Sequence, residues 1–286
     1  MESKIKELYE SYRKGTTGRR SFLRSLALLT GGSAAAMAII PVLDQNMQEG
    51  SKEMQEYPGL ITEFINYPGE SGPMKAYLAR PKEGTRYPAV IVIHENRGLV
   101  PHIEDVTRRM AREGFLALAP DALSPIGGTP KDATNVPEMF KKLDMQQTVK
   151  DFVDAVKYLK TNPLTTGKVG CTGFCWGGGM TNQVAVNSPD LDAAVPYYGR
   201  QPSAEDVEKI KAPLMAHYAE NDPMIDPGIP AFEEALKKYH KDYRIFIYPG
   251  TSHAFNNDTN PERYNESAAK LAWSRTVAFF REKLKT

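Results

Sequence analysis

The run Ala89-Val90-Ile91-Val92-Ile93-His94 constrains the fold of this chain more than any other stretch. It is apolar and β-branched with no polar alternation, so a strand formed there is buried on both faces. That is the signature of a parallel sheet covered by helices. The run ends in Glu95-Asn96-Arg97-Gly98, and from there strand-like and helix-like segments alternate. Residues 102–113 are amphipathic and stop at Gly114, and 115–119 read as a strand. A long helix is predicted within 137–160, a strand over 168–172 and a helix over 176–187. Further strands are predicted over 191–198, 213–219 and 243–248, with helices near 203–210, 230–240 and 261–284. An alternation of this length without an internal repeat predicts an α/β chain with an open, doubly wound, mostly parallel sheet, whose sites lie at the carboxyl ends of its strands. Ahead of it, 60–67 and 74–80 flank Pro68-Gly69-Glu70-Ser71-Gly72-Pro73, which predicts an antiparallel hairpin at the sheet edge.

With 286 residues, 41% hydrophobic content and a net charge of +1, the chain suits one sizeable domain, 59–286, plus an N-terminal extension, 1–58. No basic or acidic block calls for nucleic acid. Two cysteines, Cys171 and Cys175, make no disulfide framework, and Cys171 reads as a core strand residue. No His/Cys cluster has zinc spacing, and the Gly-rich run lacks the Lys-Ser/Thr ending of a phosphate loop. Neither a metal nor a nucleotide cofactor is implied. In the extension, Thr17-Gly18-Arg19-Arg20-Ser21-Phe22-Leu23-Arg24 and the apolar run 25–41 resemble a twin-arginine export signal. The run is short for a membrane span. The alternative is a retained helical arm docked on this chain or on a second subunit, so extracytoplasmic and cytoplasmic locations both stay open. Residues 44–57 read as a linker.

The chemistry converges on Gly173-Phe174-Cys175-Trp176-Gly177-Gly178-Gly179. A sharp strand-to-helix turn bounded by glycines presents a strained, exposed nucleophile, and here Cys175 stands where the G-x-S-x-G arrangement has serine. The helix starting at Trp176 would aim free N–H groups and its positive dipole end at the sulfur. By itself the motif is equally consistent with a Gly-rich turn around a buried cysteine. Three other predicted strand ends carry Glu95, Asp222 and His253. Asp222 before Pro223 is ordinarily a turn former, and His253 is ordinarily a solvated loop histidine. The order nucleophile, acid, histidine is nevertheless that of the α/β-hydrolase fold, and the three together favour a triad.

At these residues the sequence resembles the dienelactone hydrolase family of α/β-hydrolases, over nearly all of 60–284. The resemblance rests on the strand into His94-Glu95-Asn96-Arg97-Gly98-Leu99, on Ala119-Pro120-Asp121, on the cysteine elbow, on Tyr197-Tyr198-Gly199, and on Pro249-Gly250 ahead of His253-Ala254-Phe255. It implies that Cys175 is the nucleophile, His253 the base and Asp222 its orienting acid. Glu95 would be an extra carboxylate that contacts the resting thiol, and the N–H groups of Asn96 and Trp176 would form the oxyanion hole. The activity implied is hydrolysis of activated esters or enol lactones through a cysteine thioester, on a small-molecule substrate. A degenerate hydrolase that binds a carbonyl compound, or an oxidisable thiol, is the alternative. Where family members that open dienelactone carry an arginine after the histidine, this chain has Asn257; Arg97 and Arg200 are candidates for anion binding in its place.

Overall fold

A computed structural model describes Leu8, Ser11 and residues 19–30, 57–130 and 135–285. The chain divides into two compact units, Met1–Pro58 and Gly59–Thr286. In the first, helix α1 (Arg19–Thr30) holds the arginine pair and the start of the apolar run. The rest of the signal-like segment and the linker lie outside the described residues. Among the described residues, no helix is long and apolar enough to cross a membrane.

The second unit is an eight-stranded sheet of order β1-β2-β4-β3-β5-β6-β7-β8. Strands β1 (Leu60–Gly69) and β2 (Gly72–Pro81) form the edge hairpin, and β2 runs antiparallel to β4 (Leu116–Pro120). The strands continue through Pro68 and Pro73, leaving only Glu70-Ser71 to turn. Proline is tolerated at both places because β1 is an edge strand and the β2–β4 pairing begins only at Ala76. The remaining strands are parallel: β3 (Tyr87–Ile93), β5 (Thr165–Phe174), β6 (Ala193–Tyr197), β7 (Leu214–Asn221) and β8 (Tyr243–Ser252).

Ala89 to Ile93 are wholly buried, as a strand covered on both faces requires. The period-2 alternation of β5 shows the two layers directly. Cys171 faces Thr181 of helix α5 (Trp176–Asn187), Sγ to Oγ1 3.7 Å, whereas a Cβ on the adjacent Gly170 would strike Phe280 of α7 (Glu266–Lys283) on the other side. Cys171 is thus a core residue, its thiol pushed up to about 12 by burial. Helix α2 (Pro101–Arg112) opens on Pro101, carries Glu104 in its first turn and arginines in its last, and gives way to Gly114 at φ 97°.

Three expected helices differ in extent. The stretch 137–160 is divided into α3 (Val136–Phe140) and α4 (Met145–Thr161), because Asp144 turns its side chain onto the N–H groups of Gln146 and Gln147 (2.9 and 3.2 Å) and caps a new helix. The segment 203–210 is only a 3-10 turn, Asp206–Lys209, in which the Ser203 hydroxyl takes the Asp206 N–H (3.2 Å). The last helix starts at Glu266 and not near Pro261, since the Asn265 side chain caps the Ala268 N–H at 3.1 Å. Helix α6 (Ile229–Lys238) lies where expected.

Candidate active site

Strand register gathers the site. Ile93 pairs with Gly173 and Phe174 with Tyr197, so the residues just beyond, Glu95, Cys175 and Tyr198, share the carboxyl edge of three neighbouring strands. At the far side Asn221 pairs with Ser252, which sets the next residues, Asp222 and His253, side by side. That adjacency is consummated in a 2.5 Å contact between Asp222 Oδ2 and His253 Nδ1.

Cys175 occupies the sharp turn between β5 and α5 at φ 57°, ψ −115°, a conformation that ordinarily costs a non-glycine residue about 1–3 kcal/mol. The glycines around it explain how it is held. A Cβ on Gly173 would lie 2.3 Å from the Gly177 carbonyl oxygen, one on Gly177 2.4 Å from the Ile93 oxygen, and one on Gly178 2.3 Å from the Tyr197 oxygen. The first turn of α5 is therefore pressed against the ends of β3 and β6, closer than any side chain allows. The Cys175 N–H is fastened to the Tyr197 carbonyl at 3.1 Å. Cys175 is partly exposed, while the Asp222 side chain is almost wholly buried and that of His253 about a quarter exposed.

Burial alone would lower His253. Hydrogen bonds to Asp222 and to Cys175, with the negative charge of both, outweigh it and raise His253 to about 10. The imidazole thus has Nδ1 committed to Asp222, with Cys175 near enough to act on its charge. Asp222 also anchors its own turn: its carbonyl receives the Ile225 and Asp226 N–H groups at 3.0 and 2.8 Å, and its N–H donates to Asp226 Oδ2 at 2.7 Å. The turn-forming role and the contact with His253 coexist.

Glu95 Oε2 accepts from Asn257 Nδ2 at 2.9 Å, and among the described residues Glu95 makes no hydrogen bond with Cys175. The orientation of the Asn257 amide follows from its other end, where Oδ1 accepts the Thr259 N–H (3.0 Å) and hydroxyl (2.6 Å). Arg97 and Arg200 are exposed beyond β3 and β6, and among the described residues neither guanidinium has a side-chain partner. The Trp176 ring stacks on His94 (5.5 Å between centroids, 12° between planes) and meets Phe140 edge-on at 4.9 Å. Tyr198, at φ 36°, packs its buried ring 5.1 Å from His253 and 5.4 Å from Phe255. Burial, reinforced by the charges of Glu95 and Cys175, keeps the Tyr198 phenol protonated.

A profile of the dienelactone hydrolase family matches residues 74–284. The chain belongs to the dienelactone hydrolase family. It is 34% identical over 255 residues to the "Putative carboxymethylenebutenolidase" of Saccharolobus solfataricus, covering 76% of this chain and 97% of that one. It is 32% identical to the protein of the same name from Methylorubrum extorquens, covering 93% and 94%. Among solved structures, the "Putative Dienelactone Hydrolase" of Klebsiella pneumoniae superposes with a TM-score of 0.72 at 30% identity, over 78% of this chain and 99% of that one. An esterase of Pyrobaculum calidifontis, 20% identical with a TM-score of 0.57 over 84% of this chain and 94% of its own, shares the fold. As a dienelactone hydrolase family member with the α/β-hydrolase fold, the protein is a carboxylic ester hydrolase acting on small esters or lactones.

Several polar residues at the site carried no role in the sequence reading. Asn257 was legible only as the absence of an arginine; that it holds Glu95 depends on a contact across 162 positions. His102 lies within the field of Glu95 and 3.3 Å from Asp258, with burial pushing it below the usual histidine value against the pull of both carboxylates. His217 is wholly buried between Tyr248 (2.8 Å) and Thr276 (3.1 Å), pushed down to about 3 by burial and by Arg275; it ties β7 to β8 and α7. A polar residue at the end of a continuous apolar run, as His94 is, was the available signal for a buried, partnered group.

Proposed function

We propose that the protein hydrolyses activated esters or enol lactones through a thioester on Cys175. The observation that carries this reading is the His253 imidazole, held at 2.5 Å by buried Asp222 and raised by the neighbouring Cys175 at the strained elbow. The raised His253 favours an imidazolium beside the Cys175 sulfur. The sulfur attacks the carbonyl carbon, and the oxyanion is received by the N–H groups of Trp176 and Asn96. The first N–H of a helix has no intrahelical acceptor, and the Asn96 N–H makes no hydrogen bond within the described residues, so both are free to donate. On collapse the carbonyl–oxygen bond breaks, and the leaving alkoxide or enolate takes the proton from His253. Neutral His253 then removes a proton from water, whose oxygen attacks the thioester, and the thiolate departs with the acid released.

Substrate preference follows from leaving-group chemistry. A thiolate is itself a good leaving group, so the tetrahedral adduct goes forward only when the alcohol departs more readily than sulfur. Activated esters and enol lactones meet that condition; simple alkyl esters and amides do not. With Asn257 in place of an arginine beside Glu95, the fixed cation of dienelactone-opening relatives is missing at that position. Turnover of p-nitrophenyl acetate and of an enol lactone by wild type and Cys175→Ala tests the proposal. Loss of at least about a thousandfold is expected, of the size seen when a nucleophile is removed; unchanged turnover refutes it. Mass spectrometry of His253→Ala with p-nitrophenyl acetate should show one added acetyl group, on Cys175.

A further inference from the structure

His94 is a histidine of the carboxyl edge that the proposed chemistry does not use, yet both of its ring nitrogens are committed. It is wholly buried at the end of β3, between the stacked ring of Trp176 and the edge of Phe140 (5.8 Å between centroids). Its Nε2 lies 3.1 Å from the Ala122 backbone nitrogen, and its Nδ1 lies 2.7 Å from the Glu95 carbonyl oxygen. A backbone N–H can only donate, so Nε2 must be the bare nitrogen, and the ring proton must sit on Nδ1, donated to Glu95. The tautomer is thereby dictated by the fold. Burial disfavours a second proton on the ring, which keeps it neutral.

The consequence lies in the peptide that His94 grips. The Glu95 carbonyl and the Asn96 N–H belong to one planar trans unit, with no cis peptide bond among the described residues. Holding the carbonyl down toward buried His94 therefore turns the Asn96 N–H in the opposite direction, to the side where Asn96 is exposed. The Gly98 N–H also reaches the same carbonyl, but at 3.3 Å, the weaker of the two grips. A Cβ on Gly177 would lie 2.4 and 2.5 Å from the Ile93 and His94 carbonyl oxygens, so the first turn of α5, which begins at Trp176, is pressed close against this same segment. His94 also stacks on the Trp176 ring, so one side chain touches both Trp176 and the Glu95–Asn96 peptide.

We propose that His94 is a positioning residue for the oxyanion site: its Nδ1–H holds the Glu95–Asn96 peptide so that the Asn96 N–H points at the substrate oxygen, while its ring seats Trp176. This rests on the reading of those two amides as the oxyanion donors. Two replacements separate positioning from bulk support. His94→Asn keeps an N–H donor near the place of Nδ1 but loses the acceptor for Ala122; His94→Gln reaches Ala122 but loses the donor to Glu95. Outright removal of an oxyanion donor lowers kcat by about 10²–10³. His94→Gln, which only releases the peptide, is expected to lower kcat on p-nitrophenyl acetate roughly tenfold to a hundredfold with KM within about threefold. His94→Asn should stay within about fivefold of wild-type kcat even where its Tm falls as far. Equal losses of kcat in both, or a His94→Gln enzyme within twofold of wild type, overturn the proposal.

A crystal structure of His94→Gln reads the peptide without reference to activity. Rotation of the Glu95–Asn96 plane with the rest of β3 in place is expected, and an unmoved peptide overturns the positioning role. If Cys175→Ala leaves esterase turnover intact, the thioester reading fails, and that crystal structure alone still decides whether His94 holds the peptide.

Discussion

Gly177→Ala puts the elbow geometry to a quantitative test. A Cβ at Gly177 would sit 2.4 Å from the Ile93 carbonyl oxygen and 2.5 Å from that of His94, both backbone atoms of the central strand β3. Ordinary contact begins near 3.4 Å, so the first turn of α5 must back away by about 1 Å. Neither side yields cheaply: β3 is paired on both edges, and α5 is tied through Gly178 and Gly199 to the end of β6. Overpacking of this kind costs about 1–3 kcal/mol, which in a domain of this size lowers Tm by about 2–4 °C per kcal/mol. The kinetic cost is larger, since a 1 Å misplacement of reacting groups is worth about 10²-fold in rate. Gly179→Ala is the control. There the nearest atom to an added Cβ is the Arg200 nitrogen at 3.5 Å, ordinary contact, and alanine is better than glycine inside a helix by about 0.5–1 kcal/mol. Initial rates on p-nitrophenyl acetate and thermal melts of both variants are the assay. Gly177→Ala should lose about a hundredfold in kcat and melt lower, while Gly179→Ala keeps its rate and melts at or above wild type. A Gly177→Ala enzyme within threefold of wild type would refute the argument that the close approach of α5 to β3 aims the Cys175 sulfur proposed as nucleophile.

Asp222→Asn should change stability in a defined pH window. His253 is raised from 6.5 to about 10 in the folded state, so its contribution is complete below about pH 6.5 and disappears as pH climbs toward 10. The difference in Tm between wild type and Asp222→Asn is therefore expected to be widest near pH 6 and to narrow on going to pH 10; a difference growing with pH contradicts the assignment. Asn257→Arg places a cation beside Glu95, and should lower KM for a lactone bearing a carboxylate at least about threefold while leaving neutral p-nitrophenyl acetate unaffected. An equal effect on both substrates counts against charge as the cause. Iodoacetamide at pH 7 should modify Cys175 alone in the folded protein, because Cys171 is wholly buried with its thiol pushed up to about 12; peptide mapping that finds Cys171 alkylated contradicts the burial argument.

What the sequence by itself determined is what local chemistry encodes. The unbroken apolar run of β3 declares a strand covered on both faces. The glycines around Cys175 declare a turn too crowded for side chains, and the positions of Cys175, Asp222 and His253 at the ends of β5, β7 and β8 declare the site edge. Each of these depends on neighbours a few positions away, so periodicity and turn chemistry suffice. Helix boundaries were less legible where a short polar side chain captured backbone N–H groups, as Asp144 and Asn265 do. Only the tertiary structure decided partnership. The pairing of Asn221 with Ser252 brings Asp222 onto His253, Asn257 holds Glu95, and His94 clasps both Ala122 and its own following peptide. The physical reason is that a hydrogen bond selects its partner by direction and distance within a few tenths of an ångström. Those quantities are set by strand order, register and rotamer once the sheet has closed, and no spacing along the chain records them.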